Sequence, residues 1–246
     1  MLNQYIAAHQ KVFFSKTLNF IMKYFTEDFS QFFKDLAVNN NTEWFHANKP
    51  RYEKSVKEPF EYFIEKILFE ISQIDPDYRT TPKECIFRLH RDVRFSKDKS
   101  SYKLFSSAAI TKNGRKDKSL PGIYLRLSPE NITIMGRCYL PSSLQLHKIR
   151  SAISSDPKTF RSLIENEDFK EKFGRVKGDV NKRIPKEFQE AYKIEPLIAN
   201  KQFYYGTTLP AEMISNKDLD LIVLDYWKTM KPLNDFFTEA ITENDS

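Results

Sequence analysis

Gly122-Ile123-Tyr124-Leu125-Arg126-Leu127-Ser128-Pro129-Glu130-Asn131-Ile132-Thr133-Ile134-Met135-Gly136 decides the fold class: two short runs rich in Ile, Leu and Tyr flank a four-residue turn. Ser128-Pro129-Glu130-Asn131 carries residues that favour tight turns, so the two runs read as strands of a hairpin. Working outward, residues 84 to 95 and 104 to 111 are also short and rich in apolar and aromatic side chains. No helix-length segment separates these four stretches, so they are expected to pair in a mostly antiparallel sheet. A further strand is expected over Lys201 to Gly206.

On both sides of this centre the period is helical. Thr26 is placed to cap a helix whose first turn holds Glu27 and Asp28, favourable beside the positive helix end. Phe29, Phe32, Phe33 and Leu36 form its apolar face, and Asn39-Asn40-Asn41 ends it. Tyr52, Val56, Phe60, Phe63, Ile64, Ile67 and Ile71 predict a long amphipathic helix bent near Pro59. Downstream, Asp156-Pro157 reads as a cap with a first-turn proline, and Gly174 as a terminator. A last helix from Lys217 to about Ile241 is predicted, kinked at Pro232. The fold class is therefore α+β, a central mostly antiparallel sheet flanked by N-terminal and C-terminal helices.

At 246 residues with 40% hydrophobic content the chain can bury a substantial core. Residues 24–242 are expected to form one α+β domain. Residues 1–23 read as a loosely docked or poorly ordered extension, since the first 26 residues hold Lys11, Lys16 and Lys23, no acid, and a broken apolar stretch without a cleavage site. No run approaches the 18 apolar residues of a membrane span. Cys85 and Cys138 lie in predicted strands, outside any metal-ligand spacing, and read as buried reduced thiols of a cytoplasmic protein. The four histidines, His9, His46, His90 and His147, are far apart, so no zinc site is expected; no cofactor is named by any motif.

The charge is concentrated. Arg88 to Lys103 carries six Lys/Arg against two Asp, and Lys112 to Lys118 four against one, leaving the rest of a +6 chain at about −1. Local basicity implies an anionic partner more strongly than a high isoelectric point does. Lys112 to Lys118 reads by itself as a solvated loop tip. In the first cluster, strand alternation puts Arg88, His90, Asp92 and Arg94 on one face and Leu89, Arg91, Val93 and Phe95 on the other. Such a face suits a phosphate or carboxylate, with Asp92 orienting its neighbouring guanidinium groups. The competing reading is an internal network in which Asp92 and Asp98 neutralise the bases.

Three segments carry a family resemblance. Leu36-Ala37-Val38-Asn39-Asn40-Asn41-Thr42-Glu43-Trp44-Phe45, with Asn48-Lys49-Pro50-Arg51-Tyr52, resembles the opening signature of the bacterial and fungal family called domain of unknown function 2461. Phe87 to Lys99 with Tyr102-Lys103, and Pro121-Gly122-Ile123-Tyr124-Leu125, are similar to its central signature and following strand, so that the resemblance covers about residues 24 to 238. Pro185-Lys186-Glu187-Phe188 and Glu195-Pro196 depart from the Pro-Lys-Gly-Phe and His-Pro of the family. The resemblance implies a compact α+β domain and brings no established activity.

Two classes of function follow. One is an anion-binding module for nucleic acid, a nucleotide or another phosphorylated molecule, held by Arg88, Arg91, Arg94, Lys97, Lys99 and Lys103, with Asn40 nearby and Trp44 and Tyr102 as stacking platforms. The other is an enzyme acting on a phosphorylated substrate, with Asp92, Asp98 or Glu43 as acid, base or metal ligand. Trp44 and Tyr102 have core packing as their alternative.

Overall fold

The computed structural model describes residues 23–242. All but the last residue of the expected N-terminal extension lies outside the described residues. Helix α1, Glu27–Val38, buries Phe29, Phe32, Phe33 and Leu36 completely. Thr26 stands at its N-cap, but its side chain makes no capping bond. Asn41 caps the next helix, α2 (Thr42–Ala47), by accepting from the Trp44 N–H at 2.9 Å. Then follow α3 (Lys49–Tyr52), a π-helical turn (Glu53–Lys57) and α4 (Glu58–Ile74). The irregularity expected at Pro59 thus falls in the preceding turn. A proline ring collides with the carbonyl four residues back, here Ser55, and a widened turn is one way to relieve that.

Strands β1 (Ser106–Ile110), β2 (Gly122–Leu127), β3 (Asn131–Cys138) and β4 (Phe203–Pro210) form one antiparallel sheet in that order. The registers Ala108 with Leu125, Leu125 with Ile134 and Ile134 with Thr207 fix which side chains share a face. Ile123, Leu125, Leu127, Ile132, Ile134 and Cys138 point inward and are buried. Gly136 belongs to this inner face because a β-carbon there would stand 2.3 Å from the Tyr205 ring.

The short helix α5 (Pro82–Cys85) precedes β1, and between β3 and β4 lie α6 (Ser143–Ser155), α7 (Pro157–Ile164), α8 (Glu167–Phe173) and α9 (Gln189–Ile194). Asp156 caps α7 through the Thr159 N–H, and Gly174 ends α8 at φ 71°. Helix α10, Leu219–Thr242, continues unbroken through Pro232. It crosses the inner face, where Tyr205 donates to Asn234 at 2.7 Å and Phe203 meets Phe237 at 4.8 Å. Phe169 and Phe173 of α8 pack on the same Tyr205. Each buried aromatic of this layer contributes about 1.5–3 kcal/mol of transfer free energy. Among the described residues no helix is long and apolar enough to cross a membrane.

Candidate functional site

The basic stretch begins where α5 ends. Glu84 accepts from both the N–H and the hydroxyl of Thr81, at 2.8 Å each, and with Pro82 in the first turn this closes a short helix. Residues 84 to 95 therefore do not form the expected strand. Beyond Cys85 the chain extends beside β1, pairing Ile86 with Ala108 and, after a two-residue change of register, His90 with Tyr102. That slip is a bulge, which interrupts the ladder and leaves isolated pairings. The tip between Asp92 and Ser100 folds back on itself. Alternation survives only in part: Leu89 is buried and Arg88, His90, Asp92 and Arg94 are exposed, but Phe95, expected on Leu89's side, is 98% exposed.

Within the tip the acids are already engaged. Asp92 receives Arg94 through Nε at 2.9 Å and Nη2 at 2.7 Å, which lowers its carboxyl to about 2. Asp98 accepts from the Ser100 hydroxyl at 2.5 Å, pairs with Arg91 and accepts from the Ser100 N–H at 2.9 Å, and together these hold it well below the usual carboxylate range. Lys99 donates to the Val93 carbonyl at 3.0 Å. Arg91, Arg94 and Lys99 thus shape the loop. Arg88 and Lys97 make no hydrogen bond or ion pair to the described residues, and Lys103 makes neither with its ammonium. Lys103 is half-buried over the rings of Phe87, at 5.3 Å, and Phe105, at 5.9 Å. Burial and the neighbouring Arg88 charge push its ammonium below the ordinary lysine value.

The asparagine-rich turn meets this region directly. Asn40 donates to the Tyr102 carbonyl and accepts from the Tyr102 N–H, both at 2.9 Å. Because His90 and Tyr102 form a pair whose own backbone bonds go through Arg91 and Lys103, the Tyr102 amide groups face outward, and the Asn40 amide pairs with them as a further strand would. Tyr102 is 1% exposed, with its ring stacked on Phe45 at 4.2 Å. Trp44 is half-buried against Phe32 at 5.7 Å. Tyr102 therefore offers no free stacking face, whereas Trp44 keeps part of its ring exposed. Glu43 is exposed on the first turn of α2 and pairs with none of the other site residues.

Sequence reasoning missed the outward face of the sheet beside this hairpin. None of the four strands contains an aspartate or glutamate. By register Tyr124 and Arg126 of β2 and Arg137 of β3 point outward, all half-exposed. Arg126 lies over Phe105 at 5.3 Å, Phe87 meets Tyr124 at 6.2 Å, and Arg137 sits between Tyr124 at 4.7 Å and Tyr139 at 5.1 Å. Arg137 has no carboxylate partner, and burial lowers its pKa below the ordinary arginine value. Arg126 reaches Asn131 Oδ1 with one amine at 2.9 Å while its buried Nε is unpartnered. The signal was present in the strands as arginine and tyrosine at alternate positions without any acid.

The second basic cluster adjoins this face through a narrow cleft lined by Arg115, Asp117, Lys118, Arg137 and Tyr139. It is a tethered loop more than a solvated tip: Lys112 pairs with Asp77 at 3.0 Å and Asp75 at 3.4 Å, and Arg115 donates to the Lys83 carbonyl. Two roomier clefts, of about 570 and 600 Å³, lie against α10 and mix acids with lysines. Neither includes a residue of the basic hairpin.

A family model described as "Conserved hypothetical protein (DUF2461)" matches residues 28–236. The chain belongs to the DUF2461 family. A search of curated proteins found no match. In this DUF2461 protein the two departures from the family pattern have structural surroundings. Glu195 is buried, receives Arg161 at 2.8 Å and accepts from the Leu197 N–H at 3.1 Å, opening a 3-10 turn over Pro196–Ala199. Glu187 lies 3.6 Å from His147 at the surface. Among the described residues no group of three or more His, Cys, Asp and Glu is placed to hold a metal ion.

Proposed function

We propose that this protein is a binding module for a phosphate-bearing anion, taken up at the base of the hairpin where the Arg88 charge bears on the half-buried ammonium of Lys103. The observation that carries this reading is the sorting of charges in the hairpin. Its two aspartates are each held by an arginine of the same loop, Asp92 by Arg94 and Asp98 by Arg91, so the surplus charge rests on Arg88, Lys97, Lys99 and Lys103. Of these, Lys103 is the one whose charge is disfavoured where it sits, by burial and by Arg88. An anion bound at Lys103 would offset both penalties, and the arginine fork suits phosphate oxygens.

Asp92 and Asp98 are poorly suited to proton transfer near neutral pH, because each is kept ionised by a dedicated arginine. The geometry therefore favours binding over catalysis. Calorimetric titration with tripolyphosphate tests it. Arg88→Ala and Lys103→Ala should each weaken binding about tenfold or more, the loss of one charge-assisted contact. Binding that is undetectable at low salt, or unchanged in both variants, refutes it.

A further inference from the structure

We propose that the outward face of the sheet, from Phe87 and Phe105 across Tyr124 and Arg126 to Arg137 and Tyr139, is a platform for a single strand of nucleic acid. Its bases would stack on the rings while Lys103, Arg126 and Arg137 meet successive phosphates. The inference rests on the anion reading above and extends it to a polymer and to residues outside the hairpin.

Charge complementarity is the first ground. A face assembled from four strands without one acidic residue, carrying two arginines that lack carboxylate partners, repels cations and attracts anions. It is continuous with Lys103 at one end and with the cleft lined by Arg115, Asp117 and Lys118 at the other.

The second ground is the alternation of rings and cations. Phe105 lies beneath Lys103 and Arg126, and Tyr124 and Tyr139 flank Arg137, so aromatic surface recurs between positive charges. A lone phosphate needs no rings. A single strand uses both, since every base has a stacking face and every linkage a charge. A duplex hides its base faces and would leave the rings without a stacking partner. Adjacent strands about 4.8 Å apart give a four-stranded face roughly 14 Å across, which corresponds to the lower end of known site sizes, about four nucleotides.

Fluorescence anisotropy on the full chain decides the matter, with end-labelled mixed-sequence 12-mers of RNA and DNA, the matching duplex, and an abasic 12-mer. Both single strands should bind with a log–log salt slope of roughly −2 to −3, at about −0.7 per phosphate contact. The abasic strand should bind at least about tenfold more weakly, as loss of one stacked base implies. Arg137→Gln and Tyr124→Leu should each weaken strand binding about tenfold or more while tripolyphosphate affinity is kept, and Lys54→Gln, an exposed charge on the helical side, should not. Arg126→Gln replaces either variant that fails to fold, and the comparison among the four ligands needs no variant. Equal or tighter duplex binding, or equal abasic binding, overturns the platform. Tripolyphosphate binding without strand binding also overturns it and leaves the Arg88–Lys103 site standing; loss of both removes the two readings together.

Discussion

Replacing Asn40 by alanine removes the two hydrogen bonds that fasten the N-terminal turn to the backbone of Tyr102. Both Tyr102 groups belong to a residue 1% exposed and neither has another backbone partner, so truncation leaves an N–H and a C=O unpaired. At about 1 kcal/mol net per bond, with a further cost where water cannot reach the orphaned group, the loss should be about 2–3 kcal/mol. At roughly 2–4 °C per kcal/mol for a chain of this size, thermal unfolding should begin about 4–12 °C lower. Asn40→Asp makes the comparison sharper. A carboxylate still accepts from the Tyr102 N–H but cannot donate to its carbonyl, and it regains a donor when protonated. Its deficit should therefore shrink as the pH falls through the carboxyl pKa, whereas that of the alanine variant should not. Thermal melts at pH 7 and pH 4 read both effects. An alanine variant within about 0.5 kcal/mol of the parent would refute the clamp.

Other consequences are open to simple measurement. Arg94→Ala breaks an exposed pair and should leave the melting midpoint within about 1 °C, while NMR should see the Asp92 carboxyl, held low chiefly by Arg94, move up toward its usual value. The sign follows from the depressed folded value: the pair's contribution is present above about pH 4 and disappears as pH falls through about 2. Arg150→Met should cost about 2–4 kcal/mol in urea unfolding, because buried Arg150 donates to the Ile198 carbonyl at 2.8 Å and the Asn200 carbonyl at 3.2 Å. Burial pushes the Cys138 thiol up to about 12 and also raises Cys85, so both should resist a disulfide reagent at pH 8 and react once guanidinium unfolds the chain. The Cys138 linkage runs the other way from Asp92, with stability lost as pH rises above the unfolded thiol's value of about 8.5.

The hairpin of β2 and β3 was legible because Ser128 to Asn131 sits between runs whose inward positions, Leu125, Leu127, Ile132 and Ile134, are all apolar. Helix α1 was legible for the same reason, with four aromatic or aliphatic residues on one face. The stretch from 84 to 95 was misread because its alternation is real around Leu89, yet Thr81-Pro82-Lys83-Glu84 is a capping sequence that winds the first residues into helix. The ion pairs of Arg91 and Arg94 depend on how a nine-residue tip folds back, which alternation alone does not specify. Tyr102 neighbours charges in sequence, but Phe45, more than fifty residues away in the chain, stacks on its ring and buries it. Arg126 and Arg137 were passed over because charge was counted along the chain, and only strand pairing puts these two isolated arginines beside Lys103 and Phe87.

The central claim, that an anion is held between Arg88 and Lys103, is tested most directly at the Lys103 ammonium. Reductive 13C-methylation followed by NMR, with Lys103→Arg to assign the signal, should find Lys103 titrating below the exposed lysines. Tripolyphosphate should raise its pKa and shift its resonance, with no comparable change at Lys54 on the helical side. A Lys103 signal that titrates with the other lysines and stays in place while tripolyphosphate binds would contradict the account.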